Sequence, residues 1–156
     1  THKAQAIGYN PEIILAGRRL NDNISEFIAT QFIKEMLTKK NNILDCRVLV
    51  MGLTFKEDCP DLRNTKVIDV VHELQKYNVK VDVHDPWVQK SHAQQEFGIN
   101  LVDLDNQEKY DGVIVAVGHR QFREMTIAQI KNLTTEKGVI YDLKSLFDRK
   151  IVDIQL

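Results

Sequence analysis

Two short, nearly continuous apolar runs constrain the fold of this chain more than any other feature of its sequence. The first, CRVLVMGL, covers residues 46–53, and the second, GVIVAV, covers residues 112–117. Strands that are buried on both faces of a parallel sheet have this pattern, because helices cover such a sheet on both sides. The two runs therefore predict strands of a parallel sheet.

Amphipathic segments and further strands alternate with these runs. Helices are predicted at residues 65–77, 88–97 and 126–133, the first of them with Asn64 as its N-cap. Further strands are predicted at residues 79–84, 100–102 and 139–143. Strands that alternate with helices imply right-handed crossovers, so we expect an α/β fold with a Rossmann-like, doubly wound parallel sheet.

Ligands of such sheets bind outside the carboxyl ends of the strands. This rule limits the candidate site to residues that directly follow a strand. In this chain they are Thr54, Phe55, Lys56, Asp85, Pro86, Gly118, His119 and Lys144.

A long helix is predicted before the sheet, over residues 10–40. Asn10 can cap it, Pro11 suits its first position, and Lys39 and Lys40 are favourable at its negative end. Its apolar residues cover more than one narrow stripe, which indicates contacts with two neighbours, one of them another domain or subunit. Packing on its own domain alone is the alternative. We therefore divide the chain into a long helix, residues 1–41, and a sheet domain, residues 42–156.

The composition excludes several classes of protein. The 156 residues, 43% hydrophobic and 28% charged, are typical of one globular domain. A net charge of -1 provides no basic field for nucleic acid or anionic lipid. Because the sequence contains neither a membrane-length apolar run nor a signal-peptide pattern, we expect a cytoplasmic protein. Cys46 and Cys59 form no CxxC pair and predict neither a disulfide scaffold nor a metal site.

The turn after the first predicted strand reads GLTFKEDCPDLRNTK. It contains only Gly52 where a G-x-G-x-x-G fingerprint would bring the backbone against a pyrophosphate, so we do not expect NAD to bind here in that way. Lys56 can bind phosphate as a point charge and Arg63 as a bidentate fork. A solvated loop whose charges pair with each other is the alternative, and the charge pattern alone favours it.

The segment of residues 48–69 resembles the G-x-x-F-K-x-x-x-x-D-x-R-x-[ST] signature of the UDP-glucose/GDP-mannose dehydrogenase family, which opens its C-terminal domain. The matching residues are Gly52, Phe55, Lys56, Asp61, Arg63 and Thr65. PEIILAGRRLNDN resembles the family's central dimerisation helix, and VDVHDP resembles a strand of its C-terminal domain. The residues of these segments are most similar to those of members that act on UDP-N-acetylhexosamines for bacterial capsule and other surface polysaccharides. UDP-glucose and UDP-N-acetylmannosamine stay open as substrates, because the resemblance implies that much of the hexose contact surface lies upstream.

The resemblance implies roles for four side chains. Phe55 and Lys56 would contact the UDP-sugar, and Arg63 would contact NAD across an interdomain cleft. Lys144, in YDLKSLFD, stands where relatives carry a basic substrate contact after a D-G-R-like turn, although Leu143 replaces the Gly and Lys144 the Arg. A salt-bridged surface lysine is the alternative for Lys144.

The resemblance also implies roles for residues outside this set. VGHRQF is similar to the family's Thr-x-[His/Trp]-x-x-Phe turn, which assigns His119 to the cleft wall as a capping or packing residue. Asp61 would orient its loop. Arg18 or Arg19 on the long helix would correspond to an arginine that reaches the substrate of a neighbouring subunit in some relatives.

The family oxidises the C6 hydroxyl of a UDP-sugar to a carboxylate with two molecules of NAD, through a thiohemiacetal and a thioester on a cysteine. The resemblance implies that an N-terminal domain upstream of Thr1 carries that cysteine and most of the NAD site. Pro60 and the acidic Asp58 and Asp61 disfavour a reactive thiolate at Cys59. We therefore expect no catalytic residue here, no dehydrogenase activity from this chain alone, and a homodimer through the long helix. The alternative is a stand-alone Rossmann-like nucleotide-binding or regulatory module without catalysis.

Overall fold

Helices and strands alternate along the chain in a computed structural model that describes residues 12–39, 42–104 and 109–156. The predicted roles of Asn10, Pro11 and Lys40 lie outside the described residues, as does the side chain of Arg18. The helices are α1 (Glu12–Thr38), α2 (Val67–Gln75), α3 (Lys90–Phe97), α4 (Arg120–Arg123) and α5 (Ile127–Asn132). The strands are β1 (Arg47–Met51), β2 (Lys80–His84), β3 (Tyr110–Val115), β4 (Thr134–Asp142) and β5 (Ile154–Gln155).

The strands form one parallel sheet in the order β2-β1-β3-β4-β5. Leu101 adds a single parallel pairing with Val83 at the β2 edge, where the sequence predicts the strand of residues 100–102. Counting that residue as a strand gives the Rossmann order, with the reversal of strand order between β1 and β3. The predicted α/β fold with a Rossmann-like parallel sheet is confirmed.

The second half of α1 packs directly on this sheet. Its buried residues, which share one core with β1 and β3, are Ile28, Ala29, Phe32, Ile33 and Met36. Gly112 of β3 permits the approach, because a Cβ at that position would overlap the ring of Phe32. On the other side of α1, Leu20 and Phe27 are 75% and 48% exposed. The helix thus has one apolar side in the core and apolar residues on its outer side.

Some element boundaries differ from the sequence predictions. The prediction that Asn64 caps the helix after the first strand is wrong, since Lys66 holds the cap position of α2. Asn64 instead has a φ of 60°, and the Thr65 hydroxyl accepts a hydrogen bond from the Val67 N–H. The structure also contains α4 and β5, and its β4 begins at Thr134, earlier than predicted. None of the described helices is long and apolar enough to cross a membrane.

Candidate functional site

The carboxyl ends of β1, β2, β3 and β4 meet at one edge of the parallel sheet. The loop of residues 52–66 leaves β1 at this edge and passes close to the segment after β3. Gly52 makes this possible, because its φ is 94° and a Cβ there would lie 2.5 Å from Cβ of Val117. The loop that carries most of the predicted site residues therefore begins at the reversal point between β1 and β3.

A buried polar cluster joins the ends of β1, β2 and β3. Its members Thr54, Asp85 and His119 are all buried. His119 Nε2 lies 3.1 Å from Asp85 Oδ2 and 3.2 Å from Thr54 Oγ1. The backbone N–H of Asp58 donates to His119 Nδ1 at 3.0 Å. Because Nδ1 accepts this hydrogen bond, the imidazole is neutral and carries its proton on Nε2.

The Asp85 carboxylate is satisfied from several directions. Oδ2 accepts from the N–H groups of Leu53 at 2.6 Å and Thr54 at 3.2 Å, and Oδ1 accepts from the N–H of Trp87 at 2.8 Å. Burial alone raises the pKa of Asp85, but the hydrogen bonds from His119, Leu53 and Trp87 outweigh it and hold that pKa below its usual range. Asp85 is therefore an ionised group that anchors the first amides of the loop.

The turn after β1 does not fit NAD in the way that a dinucleotide-binding Rossmann domain does. Such a domain places the pyrophosphate against a glycine-rich turn and the N-terminus of the helix that follows directly. Here α2 begins only at Val67, and the Asp85 carboxylate already accepts the N–H groups of Leu53 and Thr54. A pyrophosphate at this turn would meet a like charge in a buried position.

An open groove lies at the same edge, between α1, the loop of residues 52–66 and the end of β4. We call it the carboxyl-edge groove. It consists of two adjoining cavities of about 270 Å³ and 490 Å³ that share Asn21, Phe55, Thr65 and Lys66. The N-terminus of α2 opens into it, which brings the positive end of that helix dipole to the groove. The larger volume lies within the range of about 300 to 1,000 Å³ that is common for small-molecule sites.

The structure brings three of the four predicted site residues to this groove or its rim. Phe55, which is 53% exposed, and Lys144 both line the smaller cavity. Lys56 stands beside Phe55, with its Nζ 5.7 Å from the centre of the Phe55 ring. An exposed aromatic ring can contact a base or sugar, and the ammonium groups of Lys56 and Lys144 can bind phosphate.

Arg63 lies apart from the groove lining. Its guanidinium donates to both carboxylate oxygens of Asp61, at 2.9 Å and 2.8 Å, and its side chain is 86% exposed. The hydrogen bonds from Arg63 lower the pKa of Asp61 to about 2. The Asp61 carbonyl also accepts the N–H of Phe55 at 3.0 Å. In this structure Arg63 thus forms the paired-charge arrangement that the sequence left as the alternative.

Another cavity, of about 470 Å³, lies at the opposite edge of the sheet. Lys39 lines it, pairs with Asp153 at 2.6 Å and donates to the carbonyl of Gly138. Because parallel sheets bind ligands at the carboxyl ends of their strands, we assign the candidate site to the carboxyl-edge groove. Within the described ranges, no group of three or more His, Cys, Asp or Glu side chains is arranged to hold a metal ion.

Both cysteines are free thiols. Burial, with a smaller effect of the nearby Asp111, raises the pKa of Cys46 to about 11, so this thiol is protonated at neutral pH. Cys59 is half-buried in the loop that follows β1. Neither Cys46 nor Cys59 lines the carboxyl-edge groove.

Sequence reasoning named Thr54, Asp85 and His119 as residues that follow strands, but it missed the hydrogen bonds that join them. The available signal was that the carboxyl ends of neighbouring parallel strands meet at one edge. It also missed Thr65 and Lys66 as groove residues. Their position at the start of the helix that follows the loop could have indicated this role, because helix N-termini bind anions.

The chain is similar to proteins of known activity over most of its length. The model of a family described as "UDP-glucose/GDP-mannose dehydrogenase family, UDP binding domain" matches residues 49–149. All 156 residues align with a UDP-N-acetyl-D-glucosamine 6-dehydrogenase of Pseudomonas aeruginosa at 52% identity and with one of Salmonella typhi at 50%. The chain covers 37% of the length of each of these relatives.

Solved structures show the same fold. A UDP-glucose dehydrogenase from the archaeon Pyrobaculum islandicum superimposes with a TM-score of 0.75 at 23% identity. The likeness covers 99% of this chain and 34% of the archaeal one.

Proposed function

The chain belongs to the UDP-glucose/GDP-mannose dehydrogenase family, whose UDP-binding domain it matches, and we propose that it is the UDP-binding part of an NAD-dependent UDP-N-acetylhexosamine 6-dehydrogenase. Two relatives at 50% identity or more carry the name UDP-N-acetyl-D-glucosamine 6-dehydrogenase, which supports this substrate class. The product would be a uronate for capsule or another surface polysaccharide, made in the cytoplasm.

The carboxyl-edge groove is the proposed UDP site. The observation that carries this assignment is the convergence of Phe55, Lys144 and the N-terminus of α2 on one cavity within the family's UDP-binding domain. Phe55 would pack against the nucleotide, and Lys56 and Lys144 would bind the diphosphate or the sugar end. The α2 N-terminus, at Thr65 and Lys66, would add a favourable dipole for negative charge.

Arg63 is proposed to contact NAD that is held mainly by the N-terminal domain of the whole enzyme. NAD supplies the hydride acceptor when bound. Because Arg63 is highly exposed and its ion pair with Asp61 is a surface pair, exchanging that partner for a phosphate costs little. Asp61 would then hold the loop of residues 52–66 through its backbone contact with Phe55.

Binding of UDP to this domain would contribute to catalysis in the other domain. Binding energy from the nucleotide can position the hexose carbon that reacts in the other domain. Closure of the two domains on the ligand would exclude water from the hydride-transfer step. The nucleophilic cysteine of this reaction is assigned to the N-terminal domain, in accordance with the free, buried thiol of Cys46.

Titration of the chain with UDP by calorimetry tests the site. We expect UDP to bind more tightly than uridine, because the lysines and the helix N-terminus recognise phosphate. Lys56→Ala and Lys144→Ala should each weaken UDP binding roughly tenfold and leave uridine binding unchanged, as expected for loss of one charge-assisted hydrogen bond. Phe55→Ala should weaken binding of both ligands.

Lys80→Ala is the matched control, since Lys80 lies at the amino end of β2, on the far side of the sheet. It should bind UDP like the unaltered chain. Equal affinity of the unaltered chain, Lys56→Ala and Lys144→Ala for UDP would contradict the assignment. Absence of any UDP binding in the millimolar range would contradict the proposed function itself.

A further inference from the structure

The loop that presents Phe55 and Lys56 has an unusual backbone that requires support. Asp58 has a φ of 53°, a left-handed conformation that is disfavoured for a residue with a Cβ atom. Asp adopts this conformation more readily than most residues, and contacts with the rest of the fold help to hold the segment of residues 54–58 in it.

His119 supplies contacts at both ends of this segment. At its start, Thr54 Oγ1 lies 3.2 Å from His119 Nε2 and donates to the Lys56 carbonyl at 2.8 Å. At its end, the Asp58 N–H donates to His119 Nδ1 at 3.0 Å. One imidazole ring thus spans the turn whose middle carries Phe55 and Lys56.

The ring itself is packed between other side chains. His119 is completely buried, stacks against Trp87 with ring centres 6.2 Å apart, and meets Phe122 edge-on at 5.5 Å. Asp85 accepts from the Nε2 side at 3.1 Å and so fixes which nitrogen carries the proton. The Nδ1 lone pair is thereby directed at the Asp58 N–H.

A second contact from the same turn reinforces the first. Asp58 Oδ1 accepts the N–H of Arg120 at 2.9 Å, directly after His119 in the chain. The turn after β3 therefore binds the loop of residues 52–66 through both the backbone and the side chain of Asp58. Glu57 adds an exposed ion pair with Arg123, 3.2 Å long.

We propose that His119 is a positioning residue for nucleotide binding: a neutral imidazole, protonated on Nε2, that holds residues 54–58 in the conformation in which Phe55 and Lys56 face the ligand. The inference rests on the proposed UDP site. It assigns His119 a role through the loop and not through contact with the nucleotide.

Two substitutions separate the two ring nitrogens. In His119→Asn the side-chain oxygen lies near the former Nδ1 and can accept the Asp58 N–H. In His119→Gln the longer amide lies near the former Nε2 and can donate to Asp85 and Thr54, but the Asp58 N–H loses its acceptor. His92→Asn, an exposed histidine on α3, is the matched control.

Hydrogen exchange of the Asp58 amide and UDP affinity are then measured on the same samples. We expect a slow Asp58 amide in the unaltered chain and in His119→Asn, with UDP affinity within about threefold. His119→Gln should exchange this amide quickly and bind UDP about tenfold more weakly, the size expected from loss of one hydrogen bond that holds the loop. The control should match the unaltered chain in both measurements.

The outcomes distinguish the inference from the proposed function. If Lys56→Ala weakens UDP binding but a folded His119→Gln does not, the positioning role is overturned and the UDP site stands. If the unaltered chain does not bind UDP, both fall. Should His119→Gln fail to fold, the ring nitrogen chemical shifts of the unaltered chain decide: a proton on Nε2 alone supports the role, and a proton on Nδ1 overturns it.

Discussion

Asp85 is the residue on which the ligand edge of the sheet depends most directly. It follows β2, yet its carboxylate accepts hydrogen bonds from backbone groups after β1 and from His119 after β3. A buried carboxylate of this kind is costly unless every lone pair is engaged, and here the hydrogen bonds keep it ionised. Asp85 therefore links three strand ends through charge rather than through apolar packing.

Replacement of Asp85 by Asn should lower the free energy of unfolding at pH 7 by about 3 kcal/mol, because N–H donors that bond both carboxylate oxygens lose a charged acceptor and one of them meets an amide NH2 instead. The folded-state pKa of Asp85 lies below its unfolded value of about 3.9. Its stabilising contribution is thus fully present above that unfolded value and is lost as the pH falls through the folded-state pKa. Urea denaturation should show the two proteins converging below about pH 4.

Asp45→Asn serves as the control for this pH dependence. Asp45 is an exposed residue whose φ of 63° also suits Asn, so the change should alter stability by less than about 0.5 kcal/mol at any of these pH values. A constant difference between Asp85→Asn and the unaltered chain from neutral to acidic pH would contradict the assignment of an ionised, hydrogen-bonded Asp85.

At the scale of the secondary-structure elements, the contact between α1 and β3 decides how the long helix lies on the sheet. Phe32 of α1 is fully buried, and its ring lies where a side chain at residue 112 would project. Only glycine leaves this space in β3. How closely the helix packs on the sheet therefore depends on the glycine in β3 as much as on the residues of the helix.

Gly112→Ala should destabilise the chain by about 1 to 3 kcal/mol, because the new methyl group overlaps the Phe32 ring and the helix must shift. The double variant Gly112→Ala with Phe32→Leu should regain part of the loss. Gly17→Ala on α1 is the matched control: a Cβ there meets nothing within 4 Å, and stability should rise by up to about 1 kcal/mol. Thermal unfolding measures all three, and an unchanged midpoint for Gly112→Ala would refute the overlap.

The sequence predicted the larger elements because each carries its own periodic signal. The runs of residues 46–53 and 112–117 correspond to β1 and β3, and the long amphipathic segment corresponds to α1. The elements α4 and β5, with four and two residues, are too short to show a period. The Asn64 prediction was wrong because contacts with other segments determine the path of this loop, and these contacts outweigh the preference of Asn for an N-cap position.

The sequence predicted which single residues lie at the site, but not the contacts between residues that are far apart in the chain. The groove positions of Phe55 and Lys144 agree with the edge expected from the sequence. The link from His119 to Asp58 was not predictable, because it joins residues 61 positions apart and depends on the left-handed Asp58. The pairing of Arg63 with Asp61, in contrast, is the alternative that the charge pattern of the loop already favoured.

At the scale of the whole molecule, α1 carries apolar residues on both of its sides. Leu20 and Phe27 face outward, while Phe32 and Met36 lie in the core. The resemblance of this helix to the family's dimerisation helix predicts subunit contacts, which stay a prediction. A second copy of the chain would cover the outward residues that the domain itself leaves exposed.

Leu20→Asp should convert a dimer of this chain to a monomer, because it places a charge in the proposed contact between helices. Sedimentation velocity measures the change, and the far-ultraviolet circular dichroism should stay the same since Leu20 is exposed. Leu44→Asp, at an exposed leucine outside α1, should leave the assembly unaltered. A monomeric unaltered chain would contradict the dimer proposal.

The purified chain should produce no NADH from UDP-N-acetylglucosamine and NAD, since the turn after β1 does not fit NAD and the family's nucleophile is assigned to the other domain. Absorbance at the NADH band measures this. The matched positive control is a full-length relative of the same family under identical conditions. Turnover by the chain alone, above a preparation of Lys56→Ala, would contradict the division of labour between the domains.

The half-buried placement of α1 also gives the domain a mechanical property. The part before Ile24, residues 12–23, spans 12 residues, about 18 Å at 1.5 Å per residue, beyond the residues that pack on the rest of the domain. Its point of attachment lies next to the carboxyl-edge groove, where Asn21 and Ile24 form part of the wall. A tilt of about 5° at that point would displace the far end by about 1.5 Å, so a ligand that displaced this wall would also move the first residues of the helix.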